Sequence, residues 1–468
     1  MTSLRVSPRT VRELMPIGIS VGLLLSVAYL ARGGFGLRPL FLAGVALGGL
    51  ALLSRPQLGP PIVLLAAMMV TSQFTTGTEV LLNAATLLGP MLLGLWLIRG
   101  ITTHGLDRIP TPADRVWLLF LAAGLLSLII GRATWDPGVP QTGTFVIVQI
   151  AQWAIFAIAA VVFWLPGLML RRQAQLERLV WLFLFVGGGL ALMRAIGPIR
   201  PLVTPITTDA FARAPFWTLV VGLAGGQLLF NRGVVGWRRV YLFALLGLTI
   251  FETTFGGRLS ISEWVGVLTT TAVLVWLRFP RLRWMAITVL VALILVGGLF
   301  PTFYEFAGGQ ERWDESGGSR MVLIGRVLSV SSRNPLLGLG PAAYRVYAGT
   351  RPLPYMGALW FHPQISSHSN YVDLYAHGGL LGLALFGWLA FIILRWALSL
   401  GRTARDSFGK AYSHGITAVW AGLLVIMLLA DWMLPFVYNI GFAGFQAAIL
   451  AWLFVGGLAL VDHSERAA

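Results

Sequence analysis

The stretch GTFVIVQIAQWAIFAIAAVVFWL, residues 143–165, contains no charged residue and is long enough to cross a bilayer as a single helix. Similar apolar runs recur along nearly the whole chain. Of its 468 residues, 57% are hydrophobic and 11% are charged, and the mean hydropathy is +0.80. A soluble domain carries about 25% charged residues, which its surface requires. We therefore predict an all-α integral membrane protein.

The apolar runs predict about fourteen transmembrane helices, and this even number places both termini on one side of the membrane. One long hydrophilic loop at 301–369 divides them, so 1–300 holds the first eleven helices and 370–468 holds the last three. The predicted spans are 14–31, 37–54, 60–75, 80–98, 114–131, 143–165, 178–197, 213–230, 239–256, 259–277, 283–300, 370–395, 412–432 and 435–461.

The net charge of +16 would favour nucleic-acid binding in a soluble protein, but here the basic residues lie in short loops between apolar runs. If the N-terminus is cytoplasmic, 21 of the 34 Lys and Arg residues lie inside and 13 outside. Six of those 13 belong to the 301–369 loop, and long loops carry little weight in orientation. We expect a bacterial inner-membrane protein with cytoplasmic termini, an external loop and no nucleic-acid partner.

The external loop contains a stretch at 321–330 whose apolar residues recur near helical spacing, among them Met321, Ile324 and Leu328. Basic residues flank it on both sides. The pattern predicts a short amphipathic helix at the membrane surface. The chain has no cysteine, which excludes disulfides and thiolate metal sites.

Most polar residues within the apolar runs have an ordinary explanation, which is a hydrogen bond to a neighbouring helix. Asp431 lies near an outer helix end before Pro435, where water or a helix cap would satisfy its carboxylate. The residues assigned to helix–helix bonding are Gln149, Gln152, Asn83, Gln227, Asn439 and Gln446.

Three arginines stand out because the orientation rule disfavours basic residues on the outer face. Arg213 begins a helix there, Arg258 lies in a tight outer turn, and Arg320 opens the amphipathic stretch. Each has a structural explanation as a snorkelling or ion-paired arginine, with Glu252 and Glu263 as partners for Arg258. Guanidinium groups also bind phosphate oxygens in bidentate fashion, so several on one face suit a diphosphate headgroup.

His368 lies in the sequence Ser-Ser-His-Ser-Asn-Tyr, where the external loop enters the next helix. Asn370, Asp373 and His377 follow at helical spacing, so their side chains share one face. A histidine can accept a proton near neutral pH, although an isolated one is more often structural. Nearby carboxylates would allow a metal site, but a solvated acidic loop is the simpler interpretation of Glu311, Asp314 and Glu315.

Two motifs around this histidine resemble a known family. His368-Ser369, nine further residues and Gly379-Leu380-Leu381-Gly382 resemble the signature of O-antigen ligases and the related O-antigen and exopolysaccharide polymerases. The run NPLLGLGP at 334–341 resembles the Pro-Leu-x-Gly-x-Gly segment that precedes it. Arg320, Arg258 and Arg213 stand where the family has arginines. The resemblance is strongest over about 300–395.

The resemblance implies an inverting glycosyltransferase, with a fold similar to the GT-C class, that acts without a metal or another cofactor. It would transfer a glycan from undecaprenyl diphosphate to a sugar hydroxyl on the outer face of the membrane. His368 would be the catalytic base, and Arg213, Arg258 and Arg320 would bind the diphosphate. Four residues would support the site: Asn370, Asp373, Gly379 and Gly382.

Two activities remain open within this family, and one alternative lies outside it. A polymerase would extend surface polysaccharide, whereas a ligase would attach the glycan to lipid A core. Leu383-Ala384 replaces the threonine pair that often ends the ligase signature. A flippase or transporter of lipid-linked glycans would place its key polar groups near the bilayer midplane. The candidates here gather at one outer face, which favours an enzyme.

Overall fold

The computed structural model describes residues 49, 51–75, 80–102, 105, 107–256, 260–295, 304–306, 309–313, 318–350, 353–355, 358–360 and 366–467. Within these residues the chain is helical apart from loops and two short antiparallel ribbons. One ribbon pairs β1 (Gln73–Thr75) with β2 (Leu81–Asn83), and the other pairs β3 (Leu353–Tyr355) with β4 (Ala358–Trp360).

The helices, in chain order, are α1 (Gly59–Met69), α2 (Ala84–Thr102), α3 (Asp114–Ala133), α4 (Phe145–Met169), α5 (Gln173–Ala195), α6 (Ala214–Phe230), α7 (Trp237–Phe251), α8 (Ile261–Arg278), α9 (Leu282–Leu295), α10 (Gly318–Ser331), α11 (Ala343–Gly349), α12 (Asn370–Thr403), α13 (Ser407–Leu429) and α14 (Gly441–Ala467). Within the described residues, seven of them are long and apolar enough to cross a membrane, namely α2, α3, α4, α5, α12, α13 and α14. Shorter apolar helices, α6 among them, accompany these seven.

This architecture confirms the predicted all-α membrane fold. The number of fourteen spans stays a prediction, because the first two lie almost wholly outside the described residues. The division of the chain into two helical regions and an external loop also stays a prediction.

The predicted helix 435–461 is wrong in its first residues, because 430–440 forms an irregular connection and α14 begins only at Gly441. Side chains from distant parts of the chain accept hydrogen bonds from backbone N–H groups of this stretch, which we call the 430–440 segment. Asn370 Oδ1 accepts from Met433 N at 3.0 Å, and Gln152 Oε1 accepts from Val437 N at 2.7 Å. Irregular backbone beside membrane helices is tolerated where the protein itself supplies hydrogen-bond partners, as it does here for Met433 N and Val437 N.

The helix α12 breaks at Gly379, whose φ of 63° and ψ of −161° are not helical. A break frees backbone donors and acceptors on both sides. The loop 335–340, which carries the Pro-Leu-Leu-Gly-Leu-Gly run, satisfies them. Its hydrogen bonds to α12 are Leu380 N to Pro335 O at 2.8 Å, Leu381 N to Leu336 O at 3.1 Å and Leu339 N to Ala376 O at 2.9 Å.

This loop approaches the break so closely that glycine is needed on both sides. A Cβ on Gly379 would lie 2.3 Å from the backbone C and O of Leu336, and one on Gly338 would lie 2.6 Å from Gly379 N. Both glycines also have positive φ. The two motifs that carry the family resemblance therefore interlock through their backbones.

The amphipathic stretch at 321–330 lies in a helix, α10, as predicted. Leu323 and Val327 pack inward, while Met321 and Leu328, two of the apolar residues expected at the membrane surface, are 59% and 41% exposed. The inward residues lie against α11 and α12. Apolar residues thus occupy both sides of α10, and the outward pair is available to the lipid surface.

Several helices run the full depth of the bundle and connect its two ends. α6, α8 and α12 all begin near the end that holds His368, whereas α13 ends there, since Arg320 binds its last carbonyl. α6 and α13 approach closely through small residues, because a Cβ on Gly226 would lie 2.6 Å from Ala411 O. The distance between the two ends is therefore set by rigid helices.

Candidate functional site

His368 lies in the turn that precedes α12, and its φ of 52° is in the left-handed region. Ser367 holds this turn, because its Oγ donates to Asp373 Oδ1 at 2.6 Å and accepts from Ser369 N at 3.0 Å. Tyr344 OH donates to the same oxygen of Asp373 at 2.9 Å. Asp373 is 1% exposed, so its role in this structure is to hold the turn that carries the histidine.

The ring of His368 faces the 430–440 segment. Its Nδ1 lies 3.3 Å from Asn439 Nδ2, which also donates to Asp431 Oδ1 at 2.9 Å. Asp431 is fully buried, and its second oxygen accepts from Phe436 N at 2.8 Å. With the amide in this orientation Nδ1 accepts and Nε2 carries the proton. The opposite amide orientation would leave Nε2 free to accept a proton.

Burial lowers the pKa of His368 to about 4, and the charge of Arg320 contributes in the same direction. The imidazole is therefore neutral at pH 7 and has a lone pair available. Burial has the opposite effect on Asp431 and raises its pKa to about 6, opposed by the hydrogen bonds from Phe436 N and Asn439 and by the charge of Arg213.

Two of the predicted arginines reach the same segment or the helix end next to it. Arg320 Nη1 donates to Leu429 O at 2.9 Å, at the last residue of α13. The guanidinium of Arg213 lies over the Trp432 ring, 5.1 Å from its centroid. Its Nε is buried and has no hydrogen-bond partner among the described residues. Arg213 also acts electrostatically on Asp431 and Glu263.

Arg345 is a further basic residue at this place, and its position in the sequence did not indicate a role there. It is 6% exposed and lies 3.6 Å from the ring centroid of Tyr438. It belongs to α11, directly after the loop 335–340. The sequence signal for it is weak, because a single arginine in a long external loop is ordinarily solvated.

Four basic side chains from four separate parts of the chain thus gather around the 430–440 segment and the adjoining end of α13. Gln152 and Asn370 fix the backbone of this segment by hydrogen bonds. Asn370 Nδ2 donates to Leu434 O at 2.9 Å, so the residue is structural here rather than exposed to a ligand. The four residues are Arg213, Arg320, Arg345 and His368.

A cavity that is open to solvent, with a volume of about 750 Å³ and both polar and apolar residues in its lining, lies beside Arg213. Its lining includes Phe211 and Ala212, the neighbours of Arg213 in sequence, together with residues from α5, α6 and α8 and the π-helical turn after α7. The charged residues that line it are Arg194, Arg200, Glu252 and Glu263. The cavity offers room next to the arginine for a polar ligand.

The other predicted site residues fall into two groups. Gly379 forms the break in α12, and Gly382 lines a small apolar cavity with Leu374. Arg258 lies outside the described residues, and so do Asp314, Glu315 and the side chain of Glu311. Over the part of the chain that the structure describes, no group of three His, Asp or Glu side chains is arranged to hold a metal.

The fold and the site define a polytopic helical membrane protein with a histidine and several arginines at one end of its bundle. Residues 241–387 match the family model of the O-antigen ligase. The match covers Arg320, His368, Gly379 and Gly382, and it confirms the resemblance described above. The chain carries a domain of the O-antigen ligase and polymerase superfamily. A search of curated proteins finds no match.

Proposed function

We propose that this protein transfers a glycan from undecaprenyl diphosphate to a sugar hydroxyl at the outer face of the bacterial inner membrane. The family match supports a ligase or polymerase type of activity. The observation that carries the proposal is the gathering of His368 with Arg213, Arg320 and Arg345 around the 430–440 segment. This arrangement combines a neutral base with cations suited to a diphosphate.

The reaction needs little more than these groups. The acceptor oxygen attacks the anomeric carbon, the bond from that carbon to the diphosphate oxygen breaks, and its electron pair leaves with the diphosphate. Because diphosphate is a good leaving group, arginines that stabilise its charge replace a general acid. Inversion follows from attack on the face opposite the leaving group. The proton of the acceptor hydroxyl passes to His368, a step worth about 10²–10⁴-fold in rate.

Asn439 and Asp431 would set the proton position on His368. For Nε2 to act as the base, Nδ1 must carry the proton and donate to Asn439 Oδ1. That orientation brings the amide oxygen toward Asp431, which is favourable when the carboxyl is protonated. The raised pKa of Asp431, about 6, makes this state accessible near neutral pH.

Within this reaction we favour a polymerase that joins repeat units of a surface polysaccharide. A second candidate function is a ligase that attaches the glycan to lipid A core, and the description of the matched family as O-antigen ligase supports it. Purified protein supplied with undecaprenyl-diphosphate repeat units would give a ladder of longer lipid-linked glycans in the first case. In the second case, glycan would appear on lipid A core only when that acceptor is present.

The proposal is tested by replacing His368 with asparagine, which tolerates the left-handed backbone better than alanine and cannot act as the base. Transfer should fall about 10²–10⁴-fold while donor binding is retained. His463→Asn, an exposed histidine at the other end of the bundle, is the matched control and should keep full activity. Full activity of His368→Asn would remove the histidine from the mechanism.

Arg213→Ala tests the diphosphate role separately. Because Arg213 would contact the diphosphate before and during reaction, both donor affinity and rate should fall. EDTA should leave transfer unchanged. Activity that depends on a divalent metal would contradict the proposed metal-independent reaction.

A further inference from the structure

A second concave site lies at the end of the bundle opposite His368. It is an open pocket of about 1260 Å³ between the end of α6, the loop to α7, the end of α8 and the turn from α12 to α13. Five basic side chains line it: Arg232, Arg239, Arg278, Arg405 and Lys410. Among the described residues that line it, none is acidic.

The helices themselves separate this pocket from the candidate active site. Arg213 precedes α6 and Asn231 follows it, and a helix of 17 residues is about 25 Å long. α8, α12 and α13 also have one terminus near each site. The two sites therefore cannot share one small ligand. In the orientation that the arginine distribution predicts, the pocket faces the cytoplasm.

The basic side chains of the pocket have no carboxylate partners in the described part of the chain. All five are exposed, and none forms a salt bridge to a described residue. Two carboxylates lie nearby, but they accept hydrogen bonds from backbone N–H groups and from a side-chain amide. Asp406 accepts from Gly409 N and Gln173 Nε2, and Glu465 accepts from Arg405 N.

The walls of the pocket are joined to each other rather than being loose loops. Ser407 Oγ donates to Asn231 Oδ1 at 2.9 Å, which fastens the start of α13 to the end of α6. Asn231 Nδ2 in turn donates to Gln227 Oε1 at 2.7 Å. The orientation of the chain in the membrane explains why basic residues lie at this end of the bundle. It does not require that they line a concave, polar surface whose walls are hydrogen-bonded to each other.

We propose that this pocket binds a phosphate-bearing anion. Several like charges around one concave surface repel each other, and an anion with clustered phosphate oxygens offsets that repulsion and accepts their hydrogen bonds. Exposed Trp237 and Trp276 lie on the neighbouring helices α7 and α8, near the ends that line the pocket, as aromatic residues do at a membrane interface. The ligand is either the headgroup of an anionic lipid or a soluble phosphate compound. This inference does not depend on the reaction at the other end.

The test uses the full-length protein in phosphatidylcholine nanodiscs with two probes, cardiolipin and inorganic pyrophosphate. Binding is measured by native mass spectrometry for the lipid and by calorimetry for pyrophosphate. The variant carries Arg232→Gln, Arg239→Gln and Lys410→Gln together. Because three cations are removed from around one anionic group, the affinity should fall about 100-fold.

The matched control carries Arg172→Gln, Arg281→Gln and Arg395→Gln, which remove the same charge from exposed positions that do not line the pocket. It should change the affinity less than about threefold. Selective loss of cardiolipin binding identifies a lipid headgroup, and selective loss of pyrophosphate binding identifies a soluble ligand.

Two results would overturn the proposal: no binding of either probe by the unaltered protein, or equal losses in the variant and the control. If the triple variant does not fold, the single variants Arg239→Gln and Arg281→Gln take its place. Glycosyl transfer by the control is measured in parallel, so that a failure of this inference is distinguished from a failure of the proposed reaction.

Discussion

Replacing Gly379 with alanine should damage the protein more than any ordinary helix substitution, because the residue sits where α12 breaks. Its φ of 63° and ψ of −161° belong to a region used almost only by glycine. The added Cβ would lie 2.3 Å from backbone atoms of Leu336, and a backbone neighbour cannot rotate away. The loop 335–340 would have to move.

The magnitude follows from these two effects. Holding a residue with a side chain in this conformation costs about 1–3 kcal/mol. Moving the loop also breaks the hydrogen bonds from Leu380 N and Leu381 N, each worth about 1 kcal/mol. Together they predict a loss of about 3–5 kcal/mol.

Gly378 provides the matched control, since a Cβ there would meet nothing within 4 Å and its φ is not positive. Thermal unfolding followed by tryptophan fluorescence in one detergent should give a clearly lower midpoint for Gly379→Ala than for Gly378→Ala. Glycan transfer should fall with it, because the loop leads directly into α11 and Arg345. Equal midpoints for the two variants would refute the proposed role of the interlocked backbones.

Three further predictions concern the candidate site and the orientation. Burial and then the charge of Arg320 lower the pKa of His368 to about 4, so the neutral base predominates above that pH. As the pH is lowered from about 6.5 to about 5.5, kcat/KM should therefore not fall, and a loss of activity on the acid side with a midpoint near pH 6.5 would contradict the lowered pKa. Arg213→Lys should restore only part of the transfer lost in Arg213→Ala, because a lysine ammonium cannot form the bidentate hydrogen bonds of a guanidinium. Full recovery would show that the positive charge alone suffices. In this cysteine-free chain, an impermeant thiol reagent added to spheroplasts should label Ser332→Cys and spare Gly233→Cys. The reverse pattern would show that the protein has the opposite orientation in the membrane.

The fold followed from the sequence to the extent that local patterning controls it. The apolar runs gave helices near their expected positions, since α3 at Asp114–Ala133 was expected at 114–131 and α6 at Ala214–Phe230 was expected at 213–230. α10 was also expected. The inward packing of Leu323 and Val327 was not, because it depends on contacts with α11 and α12 that the pattern of α10 itself does not specify.

The 430–440 segment shows what local patterning misses. Its apolar residues suggested helix, but Gln152 and Asn370, distant in sequence, bind its backbone and hold it irregular. Asn439 and Asp431 were assigned ordinary hydrogen bonds, and the structure does give them such bonds, yet it also joins them to His368. Those partners become visible only when three distant parts of the chain are brought together.

The low pKa of His368 poses a difficulty for the proposed reaction, and the residues around the histidine also resolve this difficulty. A base with a pKa of about 4 is available at neutral pH but weak, and proton transfer is most effective when the pKa lies near the working pH. Burial, the larger cause of the shift, persists in the complex, whereas the charge of Arg320 would be offset by a bound diphosphate. The second cause would then disappear, and the pKa of His368 would rise when the donor is in place. In the proposed mechanism His368 therefore becomes a stronger base only when the sugar donor is bound. This predicts that, as the pH is lowered, kcat begins to fall at a higher pH than kcat/KM does.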